Sequence, residues 1–428
     1  MPDEDRSKAS GVVSGRHWWW LVRSVAILLA LAVLVAYRGG IRRSFHTALE
    51  IARNGLRRPG HSRIAWVVAE PEREGLSRAV LDSLRSNLAA EGTAAFLVVR
   101  GNHVAYEWYG PKSGPDVPYI TTAMAKAATG TIALLTAVTD GRLSLDDPAW
   151  KYIPAWRGDS LRSKIRIRDL ASHQSGLDDV DFSLGPQGLL DGWKRTYLDH
   201  PEARFHMAIA DAPVLYPPGT RFSYSGVGFY ALAYAVSASL KGGPQQDVRT
   251  LLRERIMEPM GVPDDDWRLS YGASYQVDGM TLYAMGSGAR YTARAVARMG
   301  ELMLDHGRWG DRMLLDSSLI ARGLEPASAQ LDPDSAGQVQ APVAAAGGWW
   351  LNVRGSWPEV PRDAFAGMGA EHEAVLVVPS LDLVMVRLGK ALSPDPEKFI
   401  SGFRDQLFDP VMHAVIGPSS RMRGSAKR

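Results

Sequence analysis

No cysteine occurs anywhere in the 428 residues. That absence excludes disulfides, thiolate nucleophiles and cysteine-built zinc sites together, and it is compatible with an oxidising compartment. An excess of charge of either sign is also missing. The 49 lysines and arginines stand against 46 acidic side chains, a formal net charge of +3, which is too even to point to nucleic acid as a partner. Basic residues concentrate only locally: Arg38, Arg42, Arg43, Arg53, Arg57 and Arg58 follow the most apolar stretch, and Arg421, Arg423, Lys427 and Arg428 end the chain. These read as a membrane-flanking segment and as a basic disordered tail over 417–428. No internal repeat occurs, and neither a cofactor nor a metal is expected. What the chain does have is an ordinary apolar content of 46% in a length beyond one small domain, which predicts a two-lobed body with an appendage.

Long apolar runs are scarce as well, with one exception. From Trp18 to Tyr37 the only charge is Arg23, and a helix of that length spans a hydrocarbon core of ~30 Å. Arg23 lies near the start, where it can snorkel, and Trp18, Trp19, Trp20 and Tyr37 suit the two interfaces. The rival reading is a cleaved signal peptide with Val25 to Ala36 as its apolar region, but Leu34-Val35-Ala36 makes a poor small-x-small cleavage site. The division that follows is a cytoplasmic tail at 1–17, a transmembrane anchor at 18–37, a linker at 38–75 and a folded domain at 76–416.

Within the body, Val80, Leu81, Leu84 and Leu88 have helical spacing over Ser77 to Ala89, and Ala95 to Val99 reads as a buried strand. Gly101-Asn102 then turns the chain into the alternating strand Val104 to Trp108. Thr122 to Asp140 reads as a helix, with Thr121 or Thr122 available as its cap and Asp140-Gly141 as its stop. Helices follow over Tyr230 to Leu240, Val248 to Met257 and Ala293 to Asp305. Strand character returns at Gly348 to Val353, Ala374 to Val378 and Leu383 to Leu388, ahead of a closing helix over Phe399 to Ile416. Strands at both ends around a helical middle predict one shared sheet with an inserted helical lobe, roughly 122–335. Pro326 to Ala346, rich in Ala, Ser, Pro and Gln, reads as a mobile loop.

One turn of the Thr122 helix brings Ala123 and Lys126 to the same face near its positive end. A serine at 123 would be activated there, the lysine taking its proton and the helix end favouring the developing oxyanion. Ala123-Met124-Ala125-Lys126 is followed by Asp140-Gly141-Arg142-Leu143-Ser144-Leu145-Asp146-Asp147-Pro148 and Tyr152-Ile153-Pro154. Next come Ile167-Arg168-Asp169-Leu170 and Ser172-His173-Gln174-Ser175-Gly176-Leu177, then Pro218-Gly219-Thr220-Arg221-Phe222-Ser223-Tyr224-Ser225. Glu258-Pro259-Met260-Gly261, Tyr291-Thr292-Ala293-Arg294 and Pro379-Ser380-Leu381-Asp382-Leu383-Val384 complete the series. This ordered set resembles the serine β-lactamase-like and penicillin-binding-protein-like hydrolases from roughly Ala79 to Phe408. The resemblance implies an α/β plus all-α fold, with an antiparallel sheet flanked by helices and joined to a helical lobe, here preceded by one transmembrane helix. It places the site in the cleft between the lobes and implies an exported body, with a small-molecule or peptide-like ligand as its partner.

Lys126 and Tyr224 match the Ser-x-x-Lys and Tyr-x-Asn motifs, but the nucleophile position is Ala123 and the asparagine position is Gly226. The Gly-His-x-Gly-Gln-like third motif falls on Gly369-Ala370-Glu371-His372-Glu373, so Ala370 replaces a polar residue and His372 a glycine whose imidazole is expected to narrow the cleft floor. An alanine methyl cannot form an acyl-enzyme, and losing a nucleophile of this kind costs about a million-fold in turnover. A lone Ser-to-Ala change would suggest an introduced substitution, whereas three altered motifs favour natural drift towards a non-acylating homologue. The alternative is an active amide, ester or β-lactam hydrolase using Thr122 or an activated water. Bland roles stand beside these: helix capping for Thr121 and Thr122, a packed aromatic for Tyr224, a turn serine at Ser225 and a structural histidine at His173. Glu371-His372-Glu373 lacks a second histidine at helical spacing and so gives no metal site.

Overall fold

The computed structural model describes residues 66–180, 192–328, 343–345, 347–393, 395 and 398–425. All lie in the unit His61–Arg428. The expected anchor at 18–37 falls outside the described residues, as do the tail at 1–17, most of the linker and most of the Pro326–Ala346 loop. Among the described residues, no helix is long and apolar enough to cross a membrane.

Alternation along the central strands builds the fold. In β1 (Thr93–Arg100), Ala95, Leu97 and Val99 enter one apolar cluster, whereas Phe96 and Val98 enter another on the opposite face. The same split recurs in β6 (Ala374–Val378) and β7 (Leu383–Gly389), with Val375, Val377, Val384 and Val386 on one side and Leu376, Val378, Leu383 and Met385 on the other. Both faces are buried, which explains why these segments read as unbroken apolar runs in the sequence. With β2 (His103–Tyr109), β3 (Val343–Ala344), β4 (Trp350–Leu351) and β5 (Phe365–Met368) they form a seven-stranded sheet in the order β3-β4-β5-β6-β7-β1-β2. Every pair is antiparallel. The predicted sharing of one sheet by both ends of the body is the β1–β7 pairing, in which Phe96 faces Arg387 and Val98 faces Met385. Gly101 and Asn102, both at φ 62°, make the predicted tight turn.

Helix α1 (Arg78–Ala90) buries Leu81, Leu84 and Leu88 against one face of the sheet, beside α5 (Phe399–Phe403). Ser77 caps α1 by accepting from Val80 N. On the other face lies a helical rod made of a 3-10 turn at Thr122–Met124, a π-helical stretch at Lys126–Thr131 and the α-helix Ile132–Thr139, here α2. Its first two parts touch β5. The buried α3 (Gly226–Ser239) packs beside it.

Three boundaries differ from the sequence reading. The body begins before residue 76: Trp66 covers the Arg298 guanidinium at 4.3 Å, Val68 bridges Val104, and Pro71–Glu74 forms a 3-10 turn. Helix α4 (Ala293–Leu304), counted with the helical lobe, instead packs on β1, β6 and β7, because its Ala, Val and Met face matches the sheet's apolar surface. The basic tail is also ordered as far as residue 425. Its helix α6 (Ser420–Ser425) docks because acids from three elements meet it: Asp305 accepts from Arg421 at 2.6 Å, Asp382 from the Ser419 hydroxyl at 2.9 Å and Glu74 from Ser420 N at 2.9 Å.

Candidate active site

Thr121, Thr122 and Ala123 open the site helix, and neither threonine caps it as expected. Thr121 gives both its N–H and its hydroxyl to the Ala289 carbonyl, at 2.9 and 3.0 Å. Thr122 adopts φ 37°, an outlier for a β-branched residue and the kind of local strain that accumulates at functional sites. Its hydroxyl donates to Glu373 Oε2 at 2.8 Å and accepts from Ala370 N at 2.7 Å. Thr122 therefore fastens the start of the helix to the third-motif turn.

Lys126 is only 6% exposed. Its amine donates to the Gly286 carbonyl at 3.1 Å and lies over the ring faces of Tyr224 and Phe229, 4.6 and 5.3 Å from their centroids. Cation–π attraction and one carbonyl thus hold the ammonium. Lys126 and Tyr224 come together as expected, but through the face of the phenol ring; no hydrogen bond of Tyr224 Oη is found among the described residues. Tyr224, 43% exposed, stacks on His173 at 4.6 Å and on Trp350 of β4 at 6.0 Å and 16°. It bridges the helical lobe to the sheet.

His173, at φ 61° and fully enclosed, is the structural residue expected of it: its Nδ1 accepts from Ser225 N at 2.9 Å. Burial, reinforced by the Lys126 charge, holds its pKa well below the usual histidine value, so the ring is neutral. Backbone bonds lace this loop to the second motif: Leu215 N to Gly176 O, Gly219 N to Gln174 O and Ser223 N to His173 O. Ser225 caps α3 by accepting from Gly228 N at 2.8 Å, and Gly226 is that helix's first residue. Asp179 accepts at Oδ2 from both Gly226 N and Val227 N.

The third-motif turn joins β5 to β6. Gly369 lies so close to the helix that a Cβ on it would meet Thr122 Oγ1 and Glu373 Oε2 at 2.4 Å each. Ala370 is exposed. His372 does not narrow the cleft floor. Its φ of 56° turns the ring the other way, onto Phe399 and Phe403, with Nε2 donating to Phe399 O at 3.1 Å and Nδ1 accepting from Leu392 N. Glu371 accepts from Ala391 N, next to the Leu392 N–H that His372 receives, whereas Glu373 accepts from Thr122. Glu373 is completely buried, and Oε1 has no hydrogen-bond partner among the described residues. Burial outweighs its bonds and pushes its pKa up to about 7.

Sequence reasoning missed three contributors: Glu373 as a partner of Thr122, Asp179 beneath Gly226, and the 286–289 segment that receives Lys126 and Thr121. The glycine-rich run Gly286-Ser287-Gly288 was the available signal for the last, since backbone can approach a side chain closely there. The first two depend on contacts between residues far apart in the sequence.

A lysine on the first turn of a helix that packs on an antiparallel sheet, faced by a tyrosine from the helical lobe, defines a β-lactamase-like serine-hydrolase fold and site. The chain belongs to the β-lactamase family, whose model matches residues 80–405. It is 24% identical over 325 residues to the 6-aminohexanoate-dimer hydrolase of Paenarthrobacter ureafaciens, covering 74% of this chain and 77% of that protein. Among solved structures it is similar to a Bacillus anthracis protein assigned as a 6-aminohexanoate-dimer hydrolase, with TM-score 0.59 and 21% identity over 82% of this chain and 88% of that one. It is likewise similar to the octameric penicillin-binding protein homologue of Pyrococcus abyssi, with TM-score 0.53 and 14% identity over 76% of this chain and 75% of that one.

Proposed function

We propose that this protein is an exported body tethered to a membrane through residues 18–37, and that it binds a peptide-, ester- or cell-wall-like ligand in the cleft without forming an acyl-enzyme. The observation that carries this reading is the pairing of Ala123 with a Lys126 amine that lies against aromatic faces and the Gly286 carbonyl. A methyl offers no nucleophile, and the lysine is held by groups that do not react. The 6-aminohexanoate dimer named for the relatives makes short linear amides a ligand class to try first.

The second reading is hydrolysis through Thr122 or an activated water, or through a serine where the alanine stands now. Glu373 favours it in one respect, because a carboxyl near neutrality beside a hydroxyl suits a general base. Its hydrogen bond from the Thr122 hydroxyl has the geometry that role needs, but the same hydroxyl oxygen accepts from Ala370 N, which occupies a lone pair that a nucleophile would use. Incubation with a fluorophosphonate and a fluorescent penicillin, read by intact mass beside an Ala123→Ser variant, separates the two. Labelling of the serine variant alone supports the non-acylating reading. An adduct on the protein as it stands, lost in Thr122→Val, establishes the other.

A further inference from the structure

Gly226 occupies the asparagine position of the second motif, yet the space beside it is not empty. A Cβ on Gly226 would lie 3.8 and 3.9 Å from the two Asp179 carboxylate oxygens and 3.8 Å from Tyr197 Oη. The outer atoms of an asparagine there would have to compete with the carboxylate for the same ground. Asp179 is itself firmly held. Oδ2 receives Gly226 N and Val227 N, and Oδ1 receives Val180 N at 2.7 Å.

We infer that Asp179 is a positioning residue that has taken over the place of the second-motif asparagine: it fixes the start of α3 and fills the space beside Gly226. Glycine at 226 is then half of an exchange, an amide given up on one segment and a carboxylate supplied from another. Three consequences follow physically. Removing Asp179 leaves two N–H groups at the head of α3 without their acceptor. Adding an asparagine while Asp179 remains crowds it. Making both changes restores one polar side chain in the space that one now fills. Tyr224 and Ser225 directly precede α3, and Ser225 N is bound to His173, so a displaced helix start moves the stacked Tyr224 ring and the surface on which Lys126 rests.

This inference rests on the cleft reading given above, and its test uses Ala123→Ser as the parent protein, with the rate of fluorophosphonate adduct formation as readout. Asp179→Ala in that parent is expected to slow labelling by about tenfold, and Gly226→Asn to slow it comparably. The combined Asp179→Ala/Gly226→Asn protein is expected to return to within about threefold of the parent, a non-additive recovery that two independent structural defects would not give. Asp179→Asn, which keeps an acceptor for Gly226 N, guards against simple unfolding and is expected to stay folded and label at an intermediate rate. A combined variant no faster than the slower single variant overturns the inference. If the Ala123→Ser parent itself never labels, the cleft reading fails instead. The exchange is then judged from thermal melts of the same proteins, where recovery of Tm in the combined variant supports it and additive losses refute it.

Discussion

Glu373→Gln is the most informative single perturbation, because the carboxyl it removes is buried, half-satisfied and attached to the strained residue before Ala123. In the native protein the pKa of Glu373 is raised from 4.5 to about 7, burial being the largest cause. The Arg387 charge nearby, itself held down to about 10 by burial, and the Glu371 charge act on it in opposite senses. An acid whose pKa is higher folded than unfolded stabilises the fold fully below its unfolded value and loses that contribution as pH rises to the folded one. Over the interval from 4.5 to about 7, the loss amounts to ~1.4 kcal/mol per pH unit, about 3 kcal/mol in all. Glutamine does not titrate, so this slope disappears. Its carbonyl can accept from Thr122 Oγ1 and Glu371 N as Oε2 does now, but its amide replaces the unpartnered Oε1 and leaves a buried donor at a cost of ~1–2 kcal/mol. The variant is therefore expected to be the less stable protein at pH 5, by under about 1.3 kcal/mol, and the more stable one at pH 8.5, by about 1–2 kcal/mol. Urea denaturation at intervals from pH 5 to 9 measures the crossover. Glu301, raised to about 8 by burial, titrates in both proteins and cancels in the difference. Two stability curves that run parallel throughout would refute the assignment of a raised pKa to Glu373.

Other outcomes follow from geometry already described. Lys126→Met keeps the volume beside Tyr224 and Phe229 and is expected to change stability by less than ~1.5 kcal/mol in denaturant titration, while abolishing any labelling gained by Ala123→Ser. Gly288→Ala is expected to cost roughly 2–4 kcal/mol, because Gly288 has φ 72° and a Cβ would sit 2.4 Å from the Tyr271 ring; near-UV circular dichroism should also report the displaced tyrosine. Arg421→Ala breaks ion pairs that are half exposed, so its effect on unfolding should stay below ~1 kcal/mol. Amide exchange across 419–425 should nevertheless accelerate, since that helix is held to the body through Asp305, Asp382 and Glu74.

The central strands were legible because each is buried on both faces and its apolar residues are contiguous, and α1 was legible from its four leucine and valine positions. The short Phe365–Met368 strand was not: Phe-Ala-Gly-Met carries little β-propensity and is fixed by its neighbours β4 and β6. Lys126, Tyr224 and His173 could be placed from local motif order. The direction in which His372 points could not, because it turns on a left-handed backbone angle and on phenylalanines from a helix near the chain's end. Glu373 and Asp179 escaped for a related reason, since each matters through a partner far along the sequence, 251 residues away for Thr122 and 47 for Gly226. Sequence spacing carries no record of such pairs.

The pairing of β1 with β7 also has a kinetic consequence. Residues 93–100 find their second hydrogen-bonding neighbour only at 383–389, so during synthesis the β1–β2 hairpin must wait, one edge open, while most of the body is made. Closing so long a loop is entropically slow, and an unpaired apolar edge invites association with other chains in the meantime. A chain truncated anywhere before β7 should therefore aggregate rather than leave a folded amino-terminal half, and slow refolding should be traceable to the docking of this last central strand.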